Sequence, residues 1–145
     1  MYKHILIPTD GSDLSMRAAR NAIDLAKLCK AKVTAIHVIA PYQTIAYMGA
    51  LLAATEYAYN QEAQSQAEHY LGEVRAMAET EGVALECEVI TNQQPFEAIV
   101  NSVASKQCDL VVMGSNGRRG MTRLLLGSET HKVLLRSDVP VLVCH

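Results

Sequence analysis

Short apolar, β-branched runs alternate along the whole chain with longer runs whose apolar residues recur at three- and four-residue steps. His4-Ile5-Leu6-Ile7-Pro8 predicts a first strand, stopped by the turn cluster Thr9-Asp10-Gly11-Ser12-Asp13. From Leu14 to Lys30 the residues Leu14, Ala18, Ala22, Leu25, Ala26 and Cys29 keep helical spacing, and Ser12 or Asp13 can cap the free N–H groups. Lys32 to Ile39 predicts a second strand, ended by Pro41. Residues 42–56 are apolar without a clean period. They read either as a loop lying over a cleft or as the first turns of the next helix. Ala63, Ala67, Leu71, Val74 and Ala78 then form one stripe on a surface helix that reaches about Glu81 and ends at Gly82. Leu85-Glu86-Cys87-Glu88-Val89 alternates, predicting a strand over 84–91 with one wet face. Pro95 suits a first helical position, and Phe96, Ile99, Val100 and Val103 carry that helix to about Lys106. Residues 109–114 are continuously apolar after Asp109, as in a central strand covered on both faces. A polar loop, a helix over Ser128–Arg136 and an apolar strand over Pro140–Cys144 close the pattern.

The order β-α-β-α-β-α-β-α-β contains no repeat or linker and predicts an α/β protein with one domain, 1–145. Such alternation gives an open parallel sheet with helices on both faces and right-handed crossovers. Ligands of these sheets sit beyond the carboxyl ends of the strands, where the winding direction reverses. The turns after the first and fourth strands are therefore the places to look for chemistry, and they are also the most unusual turns in the chain.

Composition narrows the partners. The formal net charge is −2, so no global basic field argues for nucleic acid, although thirteen Lys and Arg can still form a local phosphate site. The apolar start is too short for a signal peptide, and no run approaches the roughly 20 apolar residues of a membrane span. Cys29, Cys87, Cys108 and Cys144 are scattered without a CxxC and read as reduced, space-filling thiols of a cytoplasmic protein. Cys144-His145 offers too few ligands for a metal site, and none is expected elsewhere.

After the fourth strand the chain runs from Gly114-Ser115-Asn116-Gly117-Arg118-Arg119-Gly120 through Arg123 to Gly127-Ser128-Glu129-Thr130. Gly114 and Gly117 permit positive φ and close backbone approach, so adjacent N–H groups can turn toward an anion. Gly127-Ser128 opens the last helix, whose unpaired N–H groups and dipole favour phosphate. Ser115, Ser128 and Thr130 add hydroxyl donors, and Arg118, Arg119 and Arg123 add charge. No Lys precedes Ser128, so this is not a Walker loop. A single Gly11 after the first strand is not the GxGxxG of a dehydrogenase either.

Gly114, Gly117, Gly127 and Ser128 keep the spacing Gly, two residues, Gly, nine residues, Gly, then Ser or Thr, by which the chain resembles the universal stress protein family. Ile5-Leu6-Ile7-Pro8-Thr9-Asp10-Gly11-Ser12 and Pro140-Val141-Leu142-Val143 resemble that family's first and last strands, so the likeness spans the whole chain. The resemblance implies strand order 3-2-1-4-5, a Rossmann-like sheet whose winding reverses between strands one and four. It also implies ATP or AMP as ligand, with or without magnesium. Carried over by residue, Pro8, Thr9 and Asp10 border the site, with Asp10 meeting the ribose or a phosphate-bound metal. Val38 meets the adenine through its backbone, and Met113 and Gly114 border the sugar. Ser115, Asn116, Gly117, Arg118, Gly127, Ser128, Glu129 and Thr130 surround the phosphates.

Two departures from the family pattern stand out. Glu129 replaces a commonly small apolar residue, and its carboxylate repels phosphates if it points inward. Asn92-Gln93-Gln94-Pro95 lacks the usual Gly-x-Pro, and Asn92 is expected to supply the turn because it tolerates positive φ. His4 and His37 lie within strands and are expected to be packed. Tyr42, Tyr47, Met48 and Leu52 read equally as a cover for the base or as core filling.

The sequence thus points to a nucleotide-binding stress-response regulator that signals through conformation or oligomerisation. No catalytic residues are expected and ATP hydrolysis is at most slow. A slow ATPase or nucleotidyl-transferring enzyme, and a ligand-free interaction module, are the alternatives. The last strand, 140–144, is apolar and unprotected at an edge, which together with the family resemblance predicts a homodimer through it.

Overall fold

A computed structural model describes residues 1–42, 49–116 and 125–145, with the side chains of 49–54 left aside. Five strands, β1 (His4–Pro8), β2 (Lys32–Ile39), β3 (Leu85–Thr91), β4 (Leu110–Gly114) and β5 (Val141–Cys144), form one parallel sheet of order β3-β2-β1-β4-β5. Four helices connect them: α1 (Asp13–Cys29), α2 (Gly49–Glu81), α3 (Pro95–Lys106) and α4 (Ser128–Arg136).

Alternation along the strands sorts the side chains between two cores. Ile5, Ile7, Val33, Ala35 and Val112 face α1 and α2, where Ala18, Ala22, Ile23, Leu71, Val74 and Ala78 meet them. Leu6, Ile36, Val111 and Met113 face the other way, toward Ile99, Val103 and Val133 of α3 and α4. Ile5, Leu6 and Ile7 are fully buried, so β1 is wrapped on both faces and each side chain contributes about 1.5–3 kcal/mol.

The element boundaries fall within a residue of the sequence pattern, and the open stretch resolves in part. Gly49 onward belongs to α2, while 43–48, including Tyr47 and Met48, lie outside the described residues. Leu52 is helical, and Tyr42 packs against Tyr59 of α2 with ring centroids 5.3 Å apart. Ser12, not Asp13, caps α1: its Oγ accepts the Ser15 N–H at 3.2 Å. The turn before α3 closes without positive φ. Asn92 Oδ1 accepts the Gln94 N–H at 2.9 Å, and the Asn92 N–H donates to the Ile39 carbonyl.

Candidate functional site

The winding reversal between β1 and β4 opens a cleft of about 470 Å³, within the usual range for a small-molecule site of about 300–1,000 Å³. Its lining divides by chemistry. Pro8, Ile36, Val38, Pro95, Ile99 and Met113 supply an apolar wall from the strand ends and the first turn of α3. Thr9, Asp10, Ser15, Asn116, Ser128, Glu129 and Thr130 supply polar groups from the β1–α1 turn and from the chain on either side of α4's start.

The β1–α1 turn is held from behind. Gly11 sits at φ +78°, and a Cβ there would collide with the Tyr70 ring of α2, so only glycine fits. His37 Nδ1 lies 2.8 Å from the Thr9 carbonyl, which fixes that nitrogen as the donor, and the His37 ring meets Tyr70 edge-on at 5.4 Å. The Gly11 N–H donates to Thr9 Oγ1, which also lies 3.0 Å from Ser15 Oγ. Asp10 Oδ1 accepts the Ser12 N–H at 2.9 Å. These bonds place Asp10 at the cleft.

On the opposite side the two ends of the glycine loop are pinned together. The Ser115 N–H donates to the Cys144 carbonyl, and the Ser115 carbonyl accepts the Gly127 N–H, each at 2.7 Å. A Cβ on Gly127 would stand 3.1 Å from the Ser115 oxygen and 3.2 Å from Asn116 Cα, so any side chain here presses on the neighbouring backbone. Gly127 is the N-cap of α4 and offers no side-chain acceptor. The His131 N–H is the first to bond back, to the Gly127 carbonyl at 2.9 Å. The N–H groups of Ser128, Glu129 and Thr130 precede it and meet no backbone carbonyl among the described residues. They are the donors of a helix N-terminus, with its partial positive charge, opening on the cleft.

Several expectations need correction. Gly114 does not adopt positive φ; its role is steric, since a Cβ there would lie 3.1 Å from Leu14 Cγ. The Ser115 N–H is taken by the Cys144 carbonyl of β5 and so is not offered to an anion. The Thr130 hydroxyl donates to the buried Gly114 carbonyl at 2.9 Å, so its proton is not offered to an anion. Glu129 lines the cleft, but its Oε2 accepts the Phe96 N–H of α3 at 2.8 Å. Gly117, Arg118, Arg119 and Arg123 lie outside the described residues.

Ser15, Ile36, Pro95 and Ile99 join the lining without having been expected. Ile36 shares a strand face with Val38, two residues on, and Pro95 and Ile99 are one helical turn apart at the start of a helix that follows a strand. Period and topology together carried that signal.

Of the four cysteines, all free, Cys108 is buried and its thiol is pushed up to about 11 by desolvation, which makes it inert packing. Among the described residues no His, Cys, Asp and Glu cluster fits a metal ion, and no helix is long and apolar enough to cross a membrane.

A doubly wound, five-stranded parallel sheet with a cleft at its switch point and an uncapped helix N-terminus in that cleft defines a Rossmann-like α/β protein. The universal stress protein family model matches residues 1–145, and the chain belongs to that family. It is 37% identical over 145 residues to Universal stress protein MJ0531 of Methanocaldococcus jannaschii, covering 99% of this chain and 82% of that one. Hypothetical protein MJ0577, the subject of a structure-based assignment of biochemical function, superposes with a TM-score of 0.85 at 27% identity, over 99% of this chain and 96% of that one. A universal stress protein solved in complex with cAMP superposes with a TM-score of 0.70, also at 27% identity, over 99% and 97%.

Proposed function

We propose that the cleft binds an adenine nucleotide, ATP or AMP, and that the protein is a cytoplasmic stress-response regulator signalling through ligand-dependent conformation or association. The uncapped N-terminus of α4, lining a cleft whose other wall is apolar, carries this reading. The family relative crystallised with cAMP supports the ligand class. The base packs against Ile36, Val38, Pro95 and Ile99, and Met113 and Gly114 border the sugar. The phosphates take the N–H groups of Ser128, Glu129 and Thr130 together with Asn116, Gly117 and Arg118. Asp10 meets the ribose hydroxyls, or a phosphate-bound magnesium ion that one carboxylate suffices to help hold.

Asp10 and Glu129, the carboxylates lining the cleft, each accept a backbone N–H, which suits fixed binding roles better than proton transfer. ATP turnover therefore stays far below the ~10 per second of an ordinary enzyme. Calorimetry with ATP and AMP, alongside mass spectrometry of small molecules released from fresh protein, tests the reading. One site per chain is expected, weakened by Ser128→Ala combined with Arg118→Ala. Each lost charge-assisted hydrogen bond weakens it by about 1.5–3 kcal/mol. Absence of any adenine-nucleotide affinity would refute it.

Assembly is part of the same reading: two copies pair antiparallel along β5. Among the described residues that strand pairs only with β4, and Leu142 is 43% exposed on it. The opposite edge is guarded, since Glu88 of β3 pairs with Lys106 at 2.7 Å. Light scattering at tens of micromolar should give a dimer mass that Val143→Lys halves. A monomeric wild type would defeat the pairing.

A further inference from the structure

Two carboxylates, Asp10 and Glu129, line the cleft. Glu129 is the second residue of α4, so its backbone belongs to the donor set that faces an anion while its side chain brings the opposite charge. The carboxylate is fixed by two partners that are not part of the lining: the Phe96 N–H, 2.8 Å from Oε2, and Lys132 Nζ, 3.4 Å from Oε1. Lys132 is itself held 5.3 Å from the Phe96 ring centroid. These contacts hold the carboxylate between the first turns of α3 and α4.

We infer that Glu129 determines phosphate-number selectivity, biasing the cleft toward nucleotides with one phosphate over those with three. The inference rests on the nucleotide reading above. A monophosphate fits beside the three N–H donors with one phosphoryl group to place near the carboxylate. A triphosphate must add further negative charge to the same surroundings. By Coulomb's law, a unit charge added about 4–6 Å from a carboxylate in a water-like dielectric loses about three- to tenfold in affinity. Glutamine at this position keeps the acceptor for the Phe96 N–H and removes only the charge.

The test is calorimetry of adenosine, AMP and ATP, in magnesium-free buffer, on wild type and Glu129→Gln. The substitution should raise AMP affinity about tenfold, ATP affinity about threefold more than that, and adenosine affinity by less than twofold. Equal gains for the three ligands, or a smaller gain for ATP than for AMP, overturn the inference while nucleotide binding stands. No binding of any of the three to wild type overturns nucleotide binding as well. Lys132→Met, outside the lining, gives a second reading of opposite sign: it removes the cation that offsets Glu129 and should shift the AMP-to-ATP affinity ratio about threefold further toward AMP. A ratio that stays put or moves toward ATP overturns the inference even if Glu129→Gln does not fold.

Discussion

The two ends of the sheet are made of similar polar groups used in opposite ways. At the amino ends of the strands, His4 Nδ1 lies 3.0 Å from the Lys106 carbonyl and its Nε2 lies 2.7 Å from Thr34 Oγ1. The first contact fixes Nδ1 as donor, so Nε2 accepts from the threonine. Asp109 accepts the backbone N–H groups of Lys3 and His4 at 2.8 and 3.0 Å. These donors all meet acceptors, and His4 and Thr34 are buried. At the carboxyl ends the chain also ties its turns with hydrogen bonds, but α4 begins at a glycine that caps nothing. A closed network stabilises; an open set of donors beside an apolar wall waits for a ligand.

Substitutions should separate the two ends. The largest expected effect is on stability at the amino end. His4→Ala leaves the Lys106 carbonyl and Thr34 hydroxyl without their partner and opens a cavity, lowering unfolding free energy by about 2–4 kcal/mol. Urea titration measures that loss, and the folded variant should bind AMP as wild type does. A large drop in affinity would erase the proposed division of labour.

Gly127→Val should act the other way round. Its side chain pushes on the Ser115 carbonyl and Asn116, displacing α4's first turn. We expect at least a tenfold loss of nucleotide affinity, about 1.4 kcal/mol, and overpacking of about 1–3 kcal/mol in stability. Thr130→Val is milder: it strands the buried Gly114 carbonyl, with a stability loss of about 1–2 kcal/mol that Thr130→Ser avoids. If the Thr130 hydroxyl served an anion instead, Val would lower affinity with little change in stability.

The smallest effect is a pH dependence confined to the amino end. Burial, reinforced by the nearby Lys32 charge, holds the His4 imidazole below its ordinary 6.5. The unfolded chain then binds the proton more readily, so stability is complete above about pH 6.5 and declines as pH falls through the depressed value. Burial tends to raise the Asp109 pKa, but the His4 and Lys3 N–H groups outweigh it and hold the carboxyl below 3.8. Its contribution therefore persists until lower pH. His4→Gln should flatten the denaturation midpoint between pH 7 and 5 relative to wild type.

These contrasts also mark what the sequence could convey. Strand and helix order was legible because short apolar or alternating runs take turns with stretches of helical period, and Pro41, Pro95 and Gly82 punctuate them. The start of α2 was not, because residues 42–56 are apolar on all sides and carry no period. Candidate site residues were found by spacing, but their hydrogen-bond economy was hidden. Nothing in Gly114-Ser115 announces that β5 takes the serine N–H, or that Thr130 spends its hydroxyl on a carbonyl sixteen residues away. Glycine spacing allowed both left-handed backbone and close approach at Gly114, and the structure uses only the second, through the missing Cβ. The network around His4 joins residues from β1, β2 and the end of α3, a meeting that only the assembled sheet produces.

The most direct test of the open-donor account is an amide nitrogen–proton NMR titration with AMP, read residue by residue. The N–H signals of Ser128, Glu129 and Thr130 should shift along one saturating isotherm, with Asp10 and Val38 following the same curve. Those of Lys3, His4 and Asp109 should stay in place. Unmoved α4 signals at saturating AMP, or shifts concentrated at the amino ends of the strands, would contradict it.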